Sequence, residues 1–168
     1  MSKEEAFVQL IQEHEGIIFK ITTIYVKAQV DQQDLYQEIV YQLWKSYDSF
    51  QGKSKRSTWL YRVALNTAIT RKRKRQKSVD TLPIDQVVLN QMEIKDHLME
   101  ERVQTLYTHI QQLNTLEKGL IFLFLEGKKH EEIAQITGLS KTNVGTRLAR
   151  IKQKLKAGIE KEVECATD

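Results

Sequence analysis

Between Ser49 and Val79 the chain carries ten Lys or Arg and no Asp or Glu. An element whose charge is all of one sign gains little from surface ion pairs. It is well suited to lying along phosphates, because each phosphate it neutralises releases condensed counterions. Helical spacing puts Leu60, Val63, Ala64, Thr67 and Ala68 on one face of a predicted helix from about Ser57 to Arg75. The plainer reading of the basic run is a solvated helix end. The aromatic residues beside the charge, Phe50, Trp59 and Tyr61, favour the nucleic-acid reading.

The rest of the chain reads as helix as well. It has 168 residues with one Pro and seven Gly, so few positions interrupt a helical pattern. The net charge of +4 is modest and unevenly placed, and the placement is the informative part. One cysteine, Cys165, excludes a disulfide framework within the chain and fits a reducing cytoplasm. The start, MSKEEAFVQL, lacks the basic-then-apolar pattern of a signal peptide. No apolar run approaches the length of a membrane span. The expectation is an all-α cytoplasmic protein of two small helical domains joined by a flexible linker.

Ser2 followed by Glu4 and Glu5 predicts a helix start. Gly16 is expected to interrupt it, with a second helix carrying Ile17, Ile18, Ile21, Ile24 and Tyr25. Asp31 is the expected cap of the next helix, which has Leu35, Ile39, Leu43 and Trp44 on its apolar stripe. Its other side shows Asp34, Gln37, Glu38 and Gln42. Residues 78–98 carry Asp80, Asp85, Glu93 and Asp96 with Pro83 among them, and read as an acidic linker. Met99, Val103, Leu106 and Ile110 then form a stripe. Asn114 or Thr115 caps a helix with Leu116, Leu120, Ile121, Leu123 and Phe124, and Gly127 ends it.

The stretch KHEEIAQITGLSKTNVGTRLARIKQKLK, from Lys129 to Lys156, has the pattern of a helix-turn-helix. A short helix carries Ile133, Ala134 and Ile136, and Gly138-Leu139 makes the turn. Ser140 caps a second helix whose apolar residues are Val144, Leu148, Ile151 and Leu155. Any helical hairpin could share the spacing. The small turn, the cap and the basic outer face together point to a helix that enters the major groove. Thr142, Gly145, Thr146, Ala149, Arg150 and Gln153 lie away from the apolar stripe. Lys141, Arg147, Lys152 and Lys154 read as phosphate contacts, which position without specifying.

These motifs carry a resemblance. The order Asp34-Leu35-x-Gln37-Glu38, Leu43-Trp44, Phe50-x-Gly52, Ser57-Thr58-Trp59-Leu60-Tyr61-Arg62-Val63-Ala64-x-Asn66 and a basic run resembles the second conserved region of bacterial sigma factors. The type is the small, two-domain, extracytoplasmic-function (ECF) kind. Leu113-x-x-Leu116-Glu117 with the helix-turn-helix resembles their fourth conserved region. The resemblance implies residues 1–77 as the unit that grips core RNA polymerase and opens the −10 element. It implies residues 99–162 as the unit that reads the −35 element, with residues 163–168 as a tail.

The resemblance further implies that Asp34, Gln37, Glu38 and Gln42 bind the polymerase clamp. Lys53, Lys55, Arg56, Arg62, Asn66, Arg71 and Arg73, with Phe50, Trp59 and Tyr61, would meet −10 DNA. On general grounds Trp59 reads as core rather than a DNA wedge, since Trp is mostly buried, while the resemblance leaves both roles open; Phe50 is equally readable as core or as a stacking face. The loop from Ser49 to Arg56 would pocket a flipped base. Gly145, Thr146, Ala149 and Arg150 stand where relatives contact bases, and Arg150 has a bidentate option to guanine. Gly145 and Ala149 offer no polar side chain. Relatives are often held by an anti-sigma factor, and their linker threads near the RNA path.

Catalysis finds no support in the residues. The four histidines, His14, His97, His109 and His130, lack metal-ligand spacing, and no phosphate loop or nucleophile motif is present. No cofactor is expected. Two other readings stay open at this point: a helix-turn-helix regulator that is not a polymerase subunit, and a helical adaptor that binds only protein.

Overall fold

A computed structural model describes residues 1–50, 52–77 and 97–167, and leaves the side chains of 76, 77 and 97–100 undescribed. The expected linker, residues 78–98, lies almost wholly outside those residues. Seven helices and no strand occur among the described residues: α1 Lys3–Tyr25, α2 Gln29–Ser46, α3 Arg56–Lys77, α4 His97–Gln111, α5 Thr115–Leu125, α6 His130–Thr137 and α7 Lys141–Thr167. Contacts divide the chain into two compact units, the first holding α1–α3 and the second α4–α7.

In the first unit α1 opens with a reciprocal cap. The Glu5 N–H donates to Ser2 Oγ at 3.1 Å, and the Ser2 N–H donates to the Glu5 carboxylate at 2.8 Å. Contrary to expectation, Gly16 does not interrupt this helix, which runs unbroken through it. A mid-helix glycine costs about 1 kcal/mol. Burial of Leu10, Ile18, Ile21 and Ile24 on one stripe outweighs that, since each buried aliphatic side chain contributes roughly 1.5–3 kcal/mol. Those residues pack on Leu35, Ile39 and Leu43 of α2 and on Leu60, Ala64 and Ala68 of α3, all fully buried.

Asp31 is not the cap of α2. The N-cap is Ala28, and the turn is tied instead by Gln32, whose Nε2 donates to Val26 O at 2.8 Å. Asp31 lies in the first turn and pairs with Arg75 of α3 at 3.2 Å.

In the second unit α5 is capped by Asn114, whose Oδ1 accepts the Glu117 N–H at 2.9 Å. Ile110, Leu120, Leu123, Ile133, Val144, Leu148 and Ile151 form the core, each almost fully buried. Val103 and Phe124 depart from their expected stripes and remain partly exposed. The Phe124 ring is covered by Lys152, whose Nζ stands 3.8 Å from its centroid. The helix-turn-helix closes as expected. Gly138 takes a left-handed conformation at φ 79° and returns its N–H to Ala134 O at 2.9 Å. Ser140 Oγ accepts the Asn143 N–H at 3.1 Å to start α7.

The two glycines Gly16 and Gly138 therefore predict opposite outcomes. Gly16→Ala, in open space on a helix, raises stability by about 0.5–1 kcal/mol. Gly138→Ala lowers it by roughly 1–2 kcal/mol, because a Cβ is disfavoured in the left-handed region. Urea unfolding of the full chain, followed by helical circular dichroism, reads both.

Candidate nucleic-acid interface

The cationic helix α3 is gripped along its length by α1 and α2, so the sides of α3 differ sharply. Trp59 is 7% exposed and Tyr61 is 3% exposed. Both are buried in the core, as general grounds suggest for Trp59, and Tyr61 does not present its ring on an outer DNA-facing surface. The cause is aromatic packing: the Trp59 ring lies 6.4 Å from Tyr47 and 5.1 Å from Phe50, centroid to centroid. Phe50 is half-buried against Trp59. Lys53, Lys55, Arg56, Arg62, Asn66 and Arg73 are exposed, as a phosphate-tracking role requires.

Arg71 does not join that exposed set. Its side chain is 13% exposed and stands 3.9 Å from Glu38 of α2, with Nη1 buried and without a hydrogen-bond partner. The resemblance implies that Arg71 meets −10 DNA, whereas its side chain here is mostly covered and turned towards Glu38. The four residues expected to meet the polymerase clamp also divide. Asp34 is exposed on α2. Gln37 borders an apolar groove of about 370 Å³ with Phe7, Tyr36, Val40, Tyr41 and Trp44. Glu38 and Gln42 instead share a groove of about 350 Å³ between α2 and α3, with Asn66, Thr67, Thr70 and Lys74 across it. The polar side of α2 and the basic side of α3 thus meet in one cleft.

In the second unit the buried stripe of α7, Val144, Leu148, Ile151 and Leu155, fixes which residues turn outward. Thr142, Thr146, Ala149 and Arg150 are exposed on the opposite side. Gly145 is half-buried and faces α6, where an added Cβ would stand 3.5 Å from His130 Nδ1. Arg147 is half-buried, and its Nε donates to Asn143 Oδ1 at 2.9 Å.

Two of the expected phosphate-binding lysines are already paired. Lys141 Nζ meets Glu131 at 3.0 Å, a hydrogen bond that holds the Glu131 carboxyl below the usual carboxylate range. Lys154 meets both carboxylate oxygens of Glu117, at 3.1 and 3.0 Å. Sequence reasoning missed Glu117, Glu131, Asp31 and His130 as neighbours of these residues. The Asn143–Arg147 bond had a signal, its spacing of four on a helix. The pairs across helices had none.

Among the described residues no three His, Cys, Asp or Glu side chains are grouped to hold a metal ion. No described helix is long and apolar enough to cross a membrane.

Comparison with known proteins matches each unit separately. The family description Sigma-70 region 2 matches residues 10–78, and Sigma-70, region 4 matches residues 104–155. The chain is 30% identical over 151 residues to the ECF RNA polymerase sigma factor SigX of Bacillus subtilis, covering 85% of this chain and 78% of that one. It is 29% identical over 156 residues to the RNA polymerase sigma factor SigV of the same species, covering 92% of each. The fold is also similar to that of the sigma factor RpoE of Bartonella quintana, solved in complex with the anti-sigma factor NepR. There the TM-score is 0.75 at 20% identity, over 93% of this chain and 98% of the other.

Burial of Trp59 makes a prediction that separates packing from DNA contact. Trp59→Ala costs the first unit about 3–5 kcal/mol, as large aromatic truncations in cores do. Urea unfolding at equilibrium measures it. A loss under about 1 kcal/mol would show that the ring is not core.

Proposed function

The chain belongs to the ECF family of RNA polymerase sigma factors, and we propose how its residues divide the work of binding core polymerase and directing promoter-specific initiation. The observation that carries the proposal is the outward face of α7. Thr142, Thr146, Ala149 and Arg150 are exposed opposite a fully buried stripe, behind a turn set by Gly138. A helix presented so can enter the major groove. Arg150 is its bidentate reader of guanine at the −35 element, and Lys141 holds phosphate after exchanging Glu131 for it.

The first unit serves the polymerase and the −10 element. Asp34 and Gln37, on the exposed side of α2, meet the clamp. The exposed cations Lys53, Lys55, Arg56, Arg62 and Arg73 track the non-template strand, with Asn66 beside them. The loop from Ser49 to Arg56 receives an extruded base. Extrusion costs a few kcal/mol in lost stacking and pairing. Phe50, backed by Trp59, returns part of it by stacking, worth roughly 1–3 kcal/mol. The protein performs no bond chemistry of its own and works in the cytoplasm with the polymerase. An anti-sigma factor that withholds it from polymerase belongs to the same reading, supported by the fold shared with RpoE, which was solved with NepR.

Run-off transcription with core polymerase on genomic fragments tests the whole reading. Promoter-dependent initiation that requires the chain is expected. DNA binding without initiation would make it a regulator outside the polymerase. No DNA binding would leave a protein adaptor.

Two substitutions test the assignments. Arg150→Ala weakens promoter binding by about 1–3 kcal/mol and relaxes specificity at one base pair. A uniform loss on all sequences would demote Arg150 to a phosphate contact. Asp34→Lys weakens core polymerase binding in a pull-down by at least tenfold, about 1.4 kcal/mol, with an unchanged circular dichroism spectrum. Asp34 is the cleaner probe, because Glu38 lies against Arg71 and its reversal would set two cations together.

A further inference from the structure

His130 and Gly145 meet where the first turns of α6 and α7 come together. A Cβ built on Gly145 would stand 3.5 Å from His130 Nδ1 and 3.6 Å from Cε1. The imidazole therefore covers the place where a side chain at 145 would begin. The Lys141–Glu131 contact at 3.0 Å joins the same two turns. At about 100° per residue, Gly145 sits roughly 60° round the helix from Thr142 and roughly 40° from Ala149. Both of those are exposed, so the His130 ring borders the outward face of α7.

His130 is half-buried, and among the described residues its ring nitrogens have no hydrogen-bond partner. A neutral imidazole carries one N–H donor and one acceptor. Among the described residues only Arg71 Nη1 is both buried and unpartnered, so the His130 nitrogens reach solvent. A ring at the edge of a DNA-facing helix with accessible, unpartnered nitrogens can donate to a ligand there. Its ligand follows from the element that carries it. The first helix of a helix-turn-helix crosses the DNA backbone while the second enters the groove. In the free protein the nearby Glu131 carboxylate is paired with Lys141, and the lysine's charge stays beside it when Lys141 turns to phosphate.

We propose that His130 donates a ring N–H to a phosphate oxygen of the DNA backbone beside the −35 element. At the bare position 145 it supplies a contact that α7 itself cannot make, and so adds affinity without selecting a base pair. The inference rests on the reading of α7 as the −35 recognition helix.

The test uses the full chain bound to core polymerase and a duplex selected by that holoenzyme from a randomised pool. Affinity is measured on this duplex and on its single-base-pair −35 variants. His130→Phe keeps an aromatic ring over Gly145 without the nitrogens. It is expected to bind every duplex roughly threefold to tenfold more weakly, the range of one hydrogen bond, with the ratios between duplexes unchanged. His130→Gln, which keeps a donor, is expected to bind far closer to the parent than His130→Phe does. The proposal is overturned if His130→Phe matches the parent, if His130→Gln is as weak as His130→Phe, or if the loss is confined to one base pair. Arg150→Ala in the same assay separates the two levels. Shifted ratios there, with His130→Phe at parental affinity, sink only the His130 contact. Unchanged affinity and ratios with Arg150→Ala sink the recognition-helix reading itself.

Discussion

A chain of aromatic contacts holds the first unit at the end where its loop emerges. Phe7 of α1 meets Trp44 and Tyr47 edge-on at 5.0 and 5.4 Å, Tyr47 meets Trp59 of α3, and Trp59 meets Phe50 of the loop. Such pairs contribute about 0.5–1.5 kcal/mol each beyond their burial. Lys3 closes the same end, with its Nζ 4.5 Å from the Trp44 ring and 2.6 Å from Asp48. These contacts join the three helices across long sequence separations. They also decide where α3 begins and hence which of its cations face outward. A basic helix without that anchor would have only its short apolar stripe to fix its rotation.

The cations are less free than their number suggests. Arg75 is held by Asp31, Arg71 lies against Glu38, Lys141 is held by Glu131 and Lys154 by Glu117. The exposed pairs among them, Arg75–Asp31 and Lys141–Glu131, are worth little to stability. Their effect on binding is larger, because a lysine that already holds a carboxylate gains only the difference when it takes a phosphate. Lys154 illustrates the limit. Both oxygens of a largely buried Glu117 engage it, so it fastens α5 to α7 before it can serve DNA. Exposed and unscreened cations such as Lys53 and Lys55 remain for long-range attraction.

The legible parts of the fold are those set by local chemistry. Ser2, Asn114 and Ser140 are caps that a sequence announces, because the oxygen and the N–H it accepts lie three residues apart. The stripe Val144, Leu148, Ile151, Leu155 is buried as its spacing requires. Gly16 failed as punctuation because tertiary burial outweighed a preference worth about 1 kcal/mol, and Asp31 because Gln32 ties the turn to Val26 while Asp31 pairs with Arg75. Trp59 and Tyr61 were drawn towards DNA by the charge around them in sequence. In space both are buried, Trp59 against Tyr47 and Phe50, and which positions of a helix are covered is settled by its partners. The pairing of His130 with Gly145 had no sequence signal, since it depends on how closely α6 and α7 approach.

The residues assigned to polymerase and those assigned to DNA share a cleft, and this limits how independently the two faces can act. Glu38 and Gln42 on α2 line the same groove as Asn66, Thr70 and Lys74 on α3. Beside it Arg71 keeps a buried Nη1 without a hydrogen bond, 3.9 Å from Glu38. An unmade hydrogen bond on a buried donor costs roughly 1–3 kcal/mol, more when the group is charged. Arg71 is therefore held in place by packing and by the field of Glu38 rather than by a completed bond. Among the described residues, anything that draws the Glu38 carboxylate outward weakens the charge that stands 3.9 Å from Arg71. A ligand can shift such an arrangement only by its difference in affinity for the two states.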